Sequence, residues 1–308
     1  MTIRNLEIFA AVCEDCSMSN AARRLFISQS SVSQAVAELE KHYEVKLFER
    51  IAKKLHLTSH GKACLFYANE VLNAWRLMHM SMKGKEEHEL ARIGSCTTIG
   101  HSLIHSLVDA YRERYPNGRV FVRIGNSALL EQELLAARLD LAIIQGGTRS
   151  RDLVYTDVME DELVLLCHPE HPFAGRSVPL ARLAREPFIV REQGSGSRKL
   201  LDEAFGKEGM VPETPWVCSN NDAIVQAVKR GKGLGLLSVH LVRGELLSGS
   251  VASIGLENHR FSRRFHLCRH KDKTLTEGMR YFTRLCERIP AIYLNTCAMP
   301  VWDVPPNA

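Results

Sequence analysis

No run of uncharged apolar residues in this 308-residue chain is long enough to suggest a bilayer span. The opening Met1-Thr2-Ile3-Arg4-Asn5-Leu6-Glu7 carries charge and helical periodicity where an export signal has an apolar block. A cytoplasmic protein without a membrane partner is expected. Charge of one sign is not in strong excess: 40 Lys and Arg against 35 Asp and Glu leave a formal +5, which is compatible with a polyanionic partner but does not demand one. The nine cysteines are odd in number and scattered among apolar stretches, which excludes a small disulfide scaffold and fits free thiols in a reducing compartment.

Motifs that carry chemistry are scarce as well. Cys13-Glu14-Asp15-Cys16 has CxxC spacing, but no second pair follows and Cys13 falls on an apolar helix face, so neither zinc nor redox chemistry is expected there. Gly231-Lys232-Gly233-Leu234-Gly235 leaves a helical pattern and enters a strand, the reverse of a phosphate-binding loop. No nucleophile, base and orienting group form a set, and no metal-ligand cluster stands out. The sequence gives no reason to expect an enzyme, a cofactor or a metal.

What is present is an ordered N-terminal module. Leu6, Phe9, Ala10 and Cys13 share one face of a helix from about Ile3 to Asp15. Ser17 is placed to cap a short second helix holding the small pair Ala21 and Ala22, and Ser28 to cap a third whose core face is Val32, Val36 and Leu39. That spacing leaves Gln29, Ser30, Ser31, Ser33 and Gln34 on the outer face near the helix start, where a recognition helix meets base edges. Arg50, Lys53 and Lys54 flank the alternating Leu55-His56-Leu57-Thr58, a hairpin wing that would set cations along phosphates, with Arg23 and Arg24 adding backbone contacts. The bland alternative is a three-helix unit with a merely solvated polar face.

From Gly61 to about Glu87 no Pro occurs, and Leu65, Ala68, Leu72, Trp75, His79 and Met82 alternate steps of three and four. This predicts a coiled-coil seam holding two recognition helices at a fixed spacing, the alternative being a helix packed on its own chain. Lys83 to Glu89 reads as a hinge. Beyond Leu90, strand and helix patterns alternate, which predicts parallel strands with crossover helices in two similar α/β lobes. Ligands in such sheets lie beyond strand C-termini. Polar loops occupy such places at Ser95-Cys96-Thr97-Thr98, at Asn126-Ser127, and at Arg191 through Gln193, Ser195, Gly196 and Ser197 to Arg198. Gln145 and Asn221 end or open neighbouring elements. Together these loops suit a small carboxylate or oxyanion. Cys96 is placed in this cleft as a residue that is packed or oxidised.

The N-terminal stretch closely resembles the DNA-binding domain of LysR-type transcriptional regulators, through Leu6, Phe9, Ser17, Ala21, Ala22, Leu25, Ser28, Gln29, Val32, Ser33, Leu39, Glu40, Leu47, Phe48, Arg50, Leu57, Thr58 and Gly61. Ser30 stands where the family usually has Pro, Cys16 where a helix-ending Gly is common, and Tyr43-Glu44 where Leu-Gly is frequent. The rest resembles the family's effector domain through Gly94, Thr97, Thr98, Gly125, Asn126, Leu139 to Ile143, Asp222 to Ile224, Val228, Gly231, Gly233, Gly235 and Ser238. The Arg191 to Arg198 loop is similar to one in members that respond to small anionic metabolites. Gly194-Ser195-Gly196 stands where the peroxide-sensing branch has its reactive Cys.

The resemblance implies an α/β chain built as an N-terminal winged helix-turn-helix (1–60), a long coiled-coil linker helix with hinge (61–89), and a C-terminal two-lobed domain like periplasmic binding proteins (90–308). Lobe I spans about 90–165 and 267–294, lobe II about 166–266, and a Pro-containing tail 295–308. Implied partners are double-stranded DNA, a small anionic effector, further copies of the chain as homodimer and homotetramer, and RNA polymerase. The competing reading is a solute-binding or enzymatic α/β protein whose N-terminal module serves assembly only.

Overall fold

In a computed structural model, residues 1–52, 54–82, 88–116, 118–146 and 150–289 are described. Lys53, the hinge residues 83–87 and the tail 295–308 lie outside them.

The three N-terminal helices begin where side-chain oxygens satisfy otherwise unpaired amides. Thr2 caps α1 (Ile3–Asp15), Ser17 caps α2 (Met18–Leu25) and Ser28 caps α3 (Gln29–Tyr43). Each helix stops on a non-glycine residue in the left-handed region, namely Cys16 (φ 47°), Phe26 (φ 54°) and Glu44 (φ 54°). The loss of Gly at the first and third of these positions therefore leaves the turn unchanged in shape, at a conformational cost of about 1–2 kcal/mol per residue. Phe9, Val12, Ala21, Val32, Val36 and Leu39 are buried between the helices. A hairpin follows, β1 (Phe48–Ile51) and β2 (Lys54–Leu57), with Phe48 opposite Leu57.

The long helix α4 (Ser59–Met82) corrects the predicted seam. Leu65, Ala68 and Leu72 are buried within the same chain, clustered with Leu6, Phe9, Leu39 and Ala136. Gly61 permits this docking, since a side chain there would strike the Leu47 carbonyl. Among the described residues, the large apolar side chains left exposed on α4 are Tyr67, Val71, Trp75, Leu77, Met78 and Met82. The sequence pattern merged two faces into one, because steps of three and four also describe a stripe that serves the helix's own domain.

The remaining described chain forms one sheet with helices on both faces. Its elements are β3 (His88–Cys96), α5 (Thr97–Ser102), α6 (Ile104–Arg114), β4 (Gly118–Gly125), α7 (Ser127–Leu135), β5 (Leu141–Gln145), β6 (Leu153–Cys167), β7 (Ser177–Val178), β8 (Pro187–Arg191), α8 (Gly196–Lys207), β9 (Glu213–Cys218), α9 (Asn221–Lys229), β10 (Leu234–Ser238), α10 (Val239–Leu247), β11 (Ala252–Leu256), β12 (Phe261–His270) and α11 (Glu277–Glu287). Strand order is β4-β3-β5-β12-β6-β10-β8-β9. The outer strands of each half are parallel to one another, as predicted, whereas β6 and β12 are antiparallel to each other and to their neighbours.

These two long strands cross between lobes. Val158 of β6 and Phe265 and Leu267 of β12 belong to the first lobe's core, whereas Leu163, Leu165 and Phe261 belong to the second's. The changeover thus falls between Val158 and Leu163 and between Phe261 and Phe265. It comes earlier along both strands than the sequence reading placed it. None of the helices among the described residues is long and apolar enough to cross a membrane.

Candidate nucleic-acid interface and interlobe cleft

Burying Val32, Ala35, Val36 and Leu39 of α3 turns Gln29, Ser30, Ser31, Ser33 and Gln34 outward together. The Ser28 hydroxyl accepts from the Ser31 amide at 3.1 Å and lies 2.8 Å from the hydroxyls of Ser30 and Ser31, so the helix start presents a cluster of hydroxyls. Between this helix and the wing lies a groove of about 500 Å³ lined by Ser17, Ser19, Gln29, Arg50, Lys54 and His56 among others. Its cations and hydroxyls suit a phosphate backbone.

Two expected contacts are otherwise engaged. Arg24 pairs with Glu14, approaches Asp15 at 3.2 Å and donates to the Ala11 carbonyl at 3.1 Å, so it ties α2 to the end of α1. The Thr58 hydroxyl donates to the Lys46 carbonyl at 2.6 Å and accepts from Gly61 N–H at 2.9 Å, which anchors the start of α4. Arg23 is exposed and, among the described residues, bonds neighbouring Asn20 at 2.6 Å. Phe26, unnoticed in the sequence, is 94% exposed in the turn just before α3.

In the effector region, β3, β4 and β8 carry the predicted loops to one cleft, and β5 ends there at Gln145. Arg191, 4% exposed, donates to Thr97 Oγ1 (3.2 Å), Asn221 Oδ1 (2.7 Å), the Ser219 carbonyl (3.3 Å) and both carboxylate oxygens of Glu192 (2.9 and 3.1 Å). A guanidinium has five N–H donors, and all five are engaged. Glu192 also accepts from Asn126 Nδ2 at 3.2 Å across the lobes. Burial alone would raise its carboxyl, but the bonds from Arg191 and Asn126 outweigh that and hold it below the ordinary carboxylate range. Arg191 and Glu192 therefore latch lobe II to Thr97 and Asn126 of lobe I.

Ser127 donates to the Gln145 carbonyl at 2.8 Å, and Ser195 and Ser197 share hydroxyls at 3.2 Å. Ser195 opens α8 without a side-chain cap, so the first amides of α8 face the cleft unpaired by it. Gly196 presses on the buried Gln145 amide, where any side chain would collide. Ser95 is buried and donates to the Cys96 carbonyl at 3.2 Å. The Cys96 thiol is pushed up to about 11 by burial, which keeps it protonated and unreactive at neutral pH. Gln193 lines the cleft, but Arg198 does not: it turns along its own helix to bond Asp202 at 2.8 and 2.9 Å.

Sequence reading missed the cleft floor, which the crossing strands build. Asp161 of β6 lies directly opposite Arg263 of β12 and accepts from its Nε at 2.6 Å and from Ser238 Oγ at 2.6 Å. Arg263 Nη2 reaches Thr98 Oγ1 at 3.0 Å. No local pattern marks the pair, because Asp161 stands between two further acids and Arg263 beside a second arginine. The cleft divides into an inner recess of about 10 Å³ beside Arg191 and an outer cavity of about 710 Å³. Among the described residues no group of His, Cys, Asp and Glu could hold a metal ion.

Comparison with known proteins places both halves. Residues 3–62 match the bacterial regulatory helix-turn-helix protein of the lysR family, and residues 84–289 match the LysR substrate binding domain. The chain is 31% identical over 287 residues to the HTH-type transcriptional regulator YeiE of Escherichia coli K12, covering 93% of this chain and 97% of the relative. It is 30% identical over 280 residues to the RuBisCO operon transcriptional regulator of Allochromatium vinosum, covering 90% and 92%. Among solved structures, the CcmR regulatory domain of Synechocystis PCC6803, in complex with 2-PG, superposes with a TM-score of 0.61 at 25% identity, covering 66% of this chain and 97% of that one. With its capped recognition helix joined through α4 to a two-lobed effector domain, the chain belongs to the LysR family of transcriptional regulators.

Proposed function

We propose that this regulator reads duplex DNA with the outer face of α3 and the wing, and that a small anionic molecule held between the effector lobes controls the outcome. The carrying observation is the outward set Gln29, Ser33 and Gln34 on a helix whose opposite face is locked by Val32, Val36 and Leu39, beside the groove of Arg50 and Lys54. Gln suits paired hydrogen bonds to adenine, and the cations suit phosphates. Ser30 and Ser31 extend the same face. The likeness to CcmR, whose regulatory domain is known with 2-PG, supports a small-molecule effector. The effector acts by binding one arrangement of the lobes better than another.

The exposed α4 stripe from Tyr67 to Met82 supplies the dimer contact, and two such dimers form a tetramer that meets RNA polymerase in the cytoplasm. No catalytic step belongs to this reading. Nuclease protection of the DNA upstream of the protein's own coding sequence tests it. A protected segment is expected at moderate salt, and uniform cleavage with and without protein rejects the reading.

A further inference from the structure

Taking the interlobe cleft as the effector site, we infer that Arg263, and not the buried Arg191, grips the effector, and that this effector is a monocarboxylate on a polar body filling the outer cavity. Arg191 has no donor to offer, because Thr97, Asn221, Ser219 and Glu192 take all five of its N–H groups. Arg263 is different. Its Nε is held by Asp161, one Nη2 hydrogen by Thr98, and its guanidinium lies over the Phe265 ring at 5.2 Å. The Nη1 group has no partner among the described residues. The side chain is 6% exposed and borders both the inner recess and the outer cavity. It is thus a fixed, desolvated donor edge aimed at the largest space in the cleft, the arrangement that binds a carboxylate most strongly.

Size and charge narrow the ligand. The inner recess of about 10 Å³ is at the limit for one water and excludes a tetrahedral oxyanion. The outer cavity of about 710 Å³ matches an organic molecule. Its charged lining balances, with Lys199, Arg263 and Arg264 against Glu131, Asp202 and Glu203. Arg191 and Glu192 cancel behind it. Arg264 is paired with Asp157 and Glu160 and Lys199 with Glu203, so a dianion would bring two charges to the one guanidinium edge left open by Arg263, whereas a single carboxylate matches it. Asp161 keeps its Ser238 bond while Arg263 is shared, so its own charge stays satisfied. The remainder of the wall offers hydroxyls and amides from Ser127, Gln145, Gln193, Ser195 and Ser262, which call for a ligand body that hydrogen-bonds.

The test uses the full-length protein and thermal-shift titrations with hydroxylated monocarboxylates (quinate, gluconate, glycerate), dicarboxylates (malate, succinate), phosphoglycerate, and inorganic sulfate and phosphate. A monocarboxylate should give the largest stabilisation. Its affinity should fall at least ~10-fold in the paired neutral variant Arg263→Gln/Asp161→Asn, which leaves no buried charge unmatched, and likewise in Arg263→Lys, which keeps the Asp161 pair but loses the planar fork. Ligand-free melting of both variants reports that they fold. A dianion as strongest binder, or a monocarboxylate that binds both variants as tightly as the parent, overturns the inference while leaving the cleft reading standing. Silence across the whole panel overturns both.

Discussion

Phe66 of the long helix and His270 at the end of β12 stack face to face, with ring centroids 3.6 Å apart and planes inclined by 21°. The contact fastens α4 to the effector domain of the same chain. Lys273 adds bonds to Glu70 at 2.8 and 2.9 Å, and Asn69 donates to the Ala136 carbonyl at 2.6 Å. The strands that meet α4 here run to the cleft: β12 carries Arg263 seven residues before His270, and β3, whose Arg92 lies 3.7 Å from Glu70, ends at Cys96. Movement between the lobes therefore has a short route, along β12 and through the Phe66–His270 stack, to the helix that carries the DNA-binding domain.

This docking should weaken in acid. Burial lowers the His270 pKa below its ordinary 6.5, against the attraction of Asp272, Asp152 and Glu70 and with some help from Lys271. The folded state thus binds fewer protons at this ring than the unfolded state does. Its contribution is whole above pH 6.5 and is lost as pH falls through the lowered folded value. Protonation also ends acceptance of the Asp272 amide at Nδ1, 3.2 Å away. Hydrogen-exchange protection factors along α4, corrected for the intrinsic rate at each pH, should fall below pH 6.5 in the parent and change less in His270→Phe, which keeps the stack without the titration. Equal pH slopes in the two proteins would count against this role.

A second prediction concerns Asp140, which is 1% exposed and accepts from Arg92 N–H at 2.8 Å, Arg92 Nε at 3.0 Å and Lys273 Nζ at 2.6 Å. Burial would raise its carboxyl, but the two cations win and hold it below the usual range. Asp140→Ala removes one of the two carboxylates that Arg92 and Lys273 share and leaves both cations to Glu70, a loss of about 1–3 kcal/mol. Urea unfolding of the effector domain should show a lower midpoint with an unchanged slope. A loss within a few tenths of a kcal/mol, the scale of an ordinary surface substitution, contradicts the assignment.

Much of the architecture was legible because local rules and global packing agree. Ser17 and Ser28 cap where expected, and Val32, Val36 and Leu39 are buried as the 3.6-residue period requires. The crossing strands were not legible. In β6 the exposed Asp157 and Glu160 and the half-buried Glu162 flank Asp161, whose burial is matched by Arg263 opposite it and by Ser238. That pairing joins residues a hundred positions apart, and no local pattern encodes it. For the same reason Arg191 read as a ligand-binding cation: its role depends on Glu192, Ser219 and Asn221, whose approach is tertiary.

The stripe on α4 gives a prediction that separates the two registers. Trp75→Glu with Met78→Glu places charge on residues that are 39% and 45% exposed and support no core, so the chain should stay folded and shift toward monomer in light scattering. Leu72→Glu charges a residue that is 4% exposed and packed among Leu6, Phe9 and Leu65. It should unfold the N-terminal domain instead, since a lone carboxylate there has no partner. If Leu72→Glu dissociated a folded protein, the original seam would be the right one.

Salt dependence separates the roles of the DNA-facing residues. Lys54 and Arg50 border the groove beside α3, so Lys54→Ala should weaken binding to all sequences alike and reduce the slope of log affinity against log salt by about one. Gln34 is exposed on the outer face of α3 and, among the described residues, bonds Glu38 at 3.2 Å. Gln34→Ala should leave the salt slope unchanged and cost about 1–3 kcal/mol of discrimination at one base pair. Arg24 is committed to Glu14, Asp15 and Ala11, so Arg24→Ala should lower the stability of the helix pair while sparing the slope. Fluorescence anisotropy with one operator and single-base variants, at several salt concentrations, reads all three. A reduced salt slope in Arg24→Ala would return that residue to the phosphate-contacting set and show that its ion pairs open on DNA.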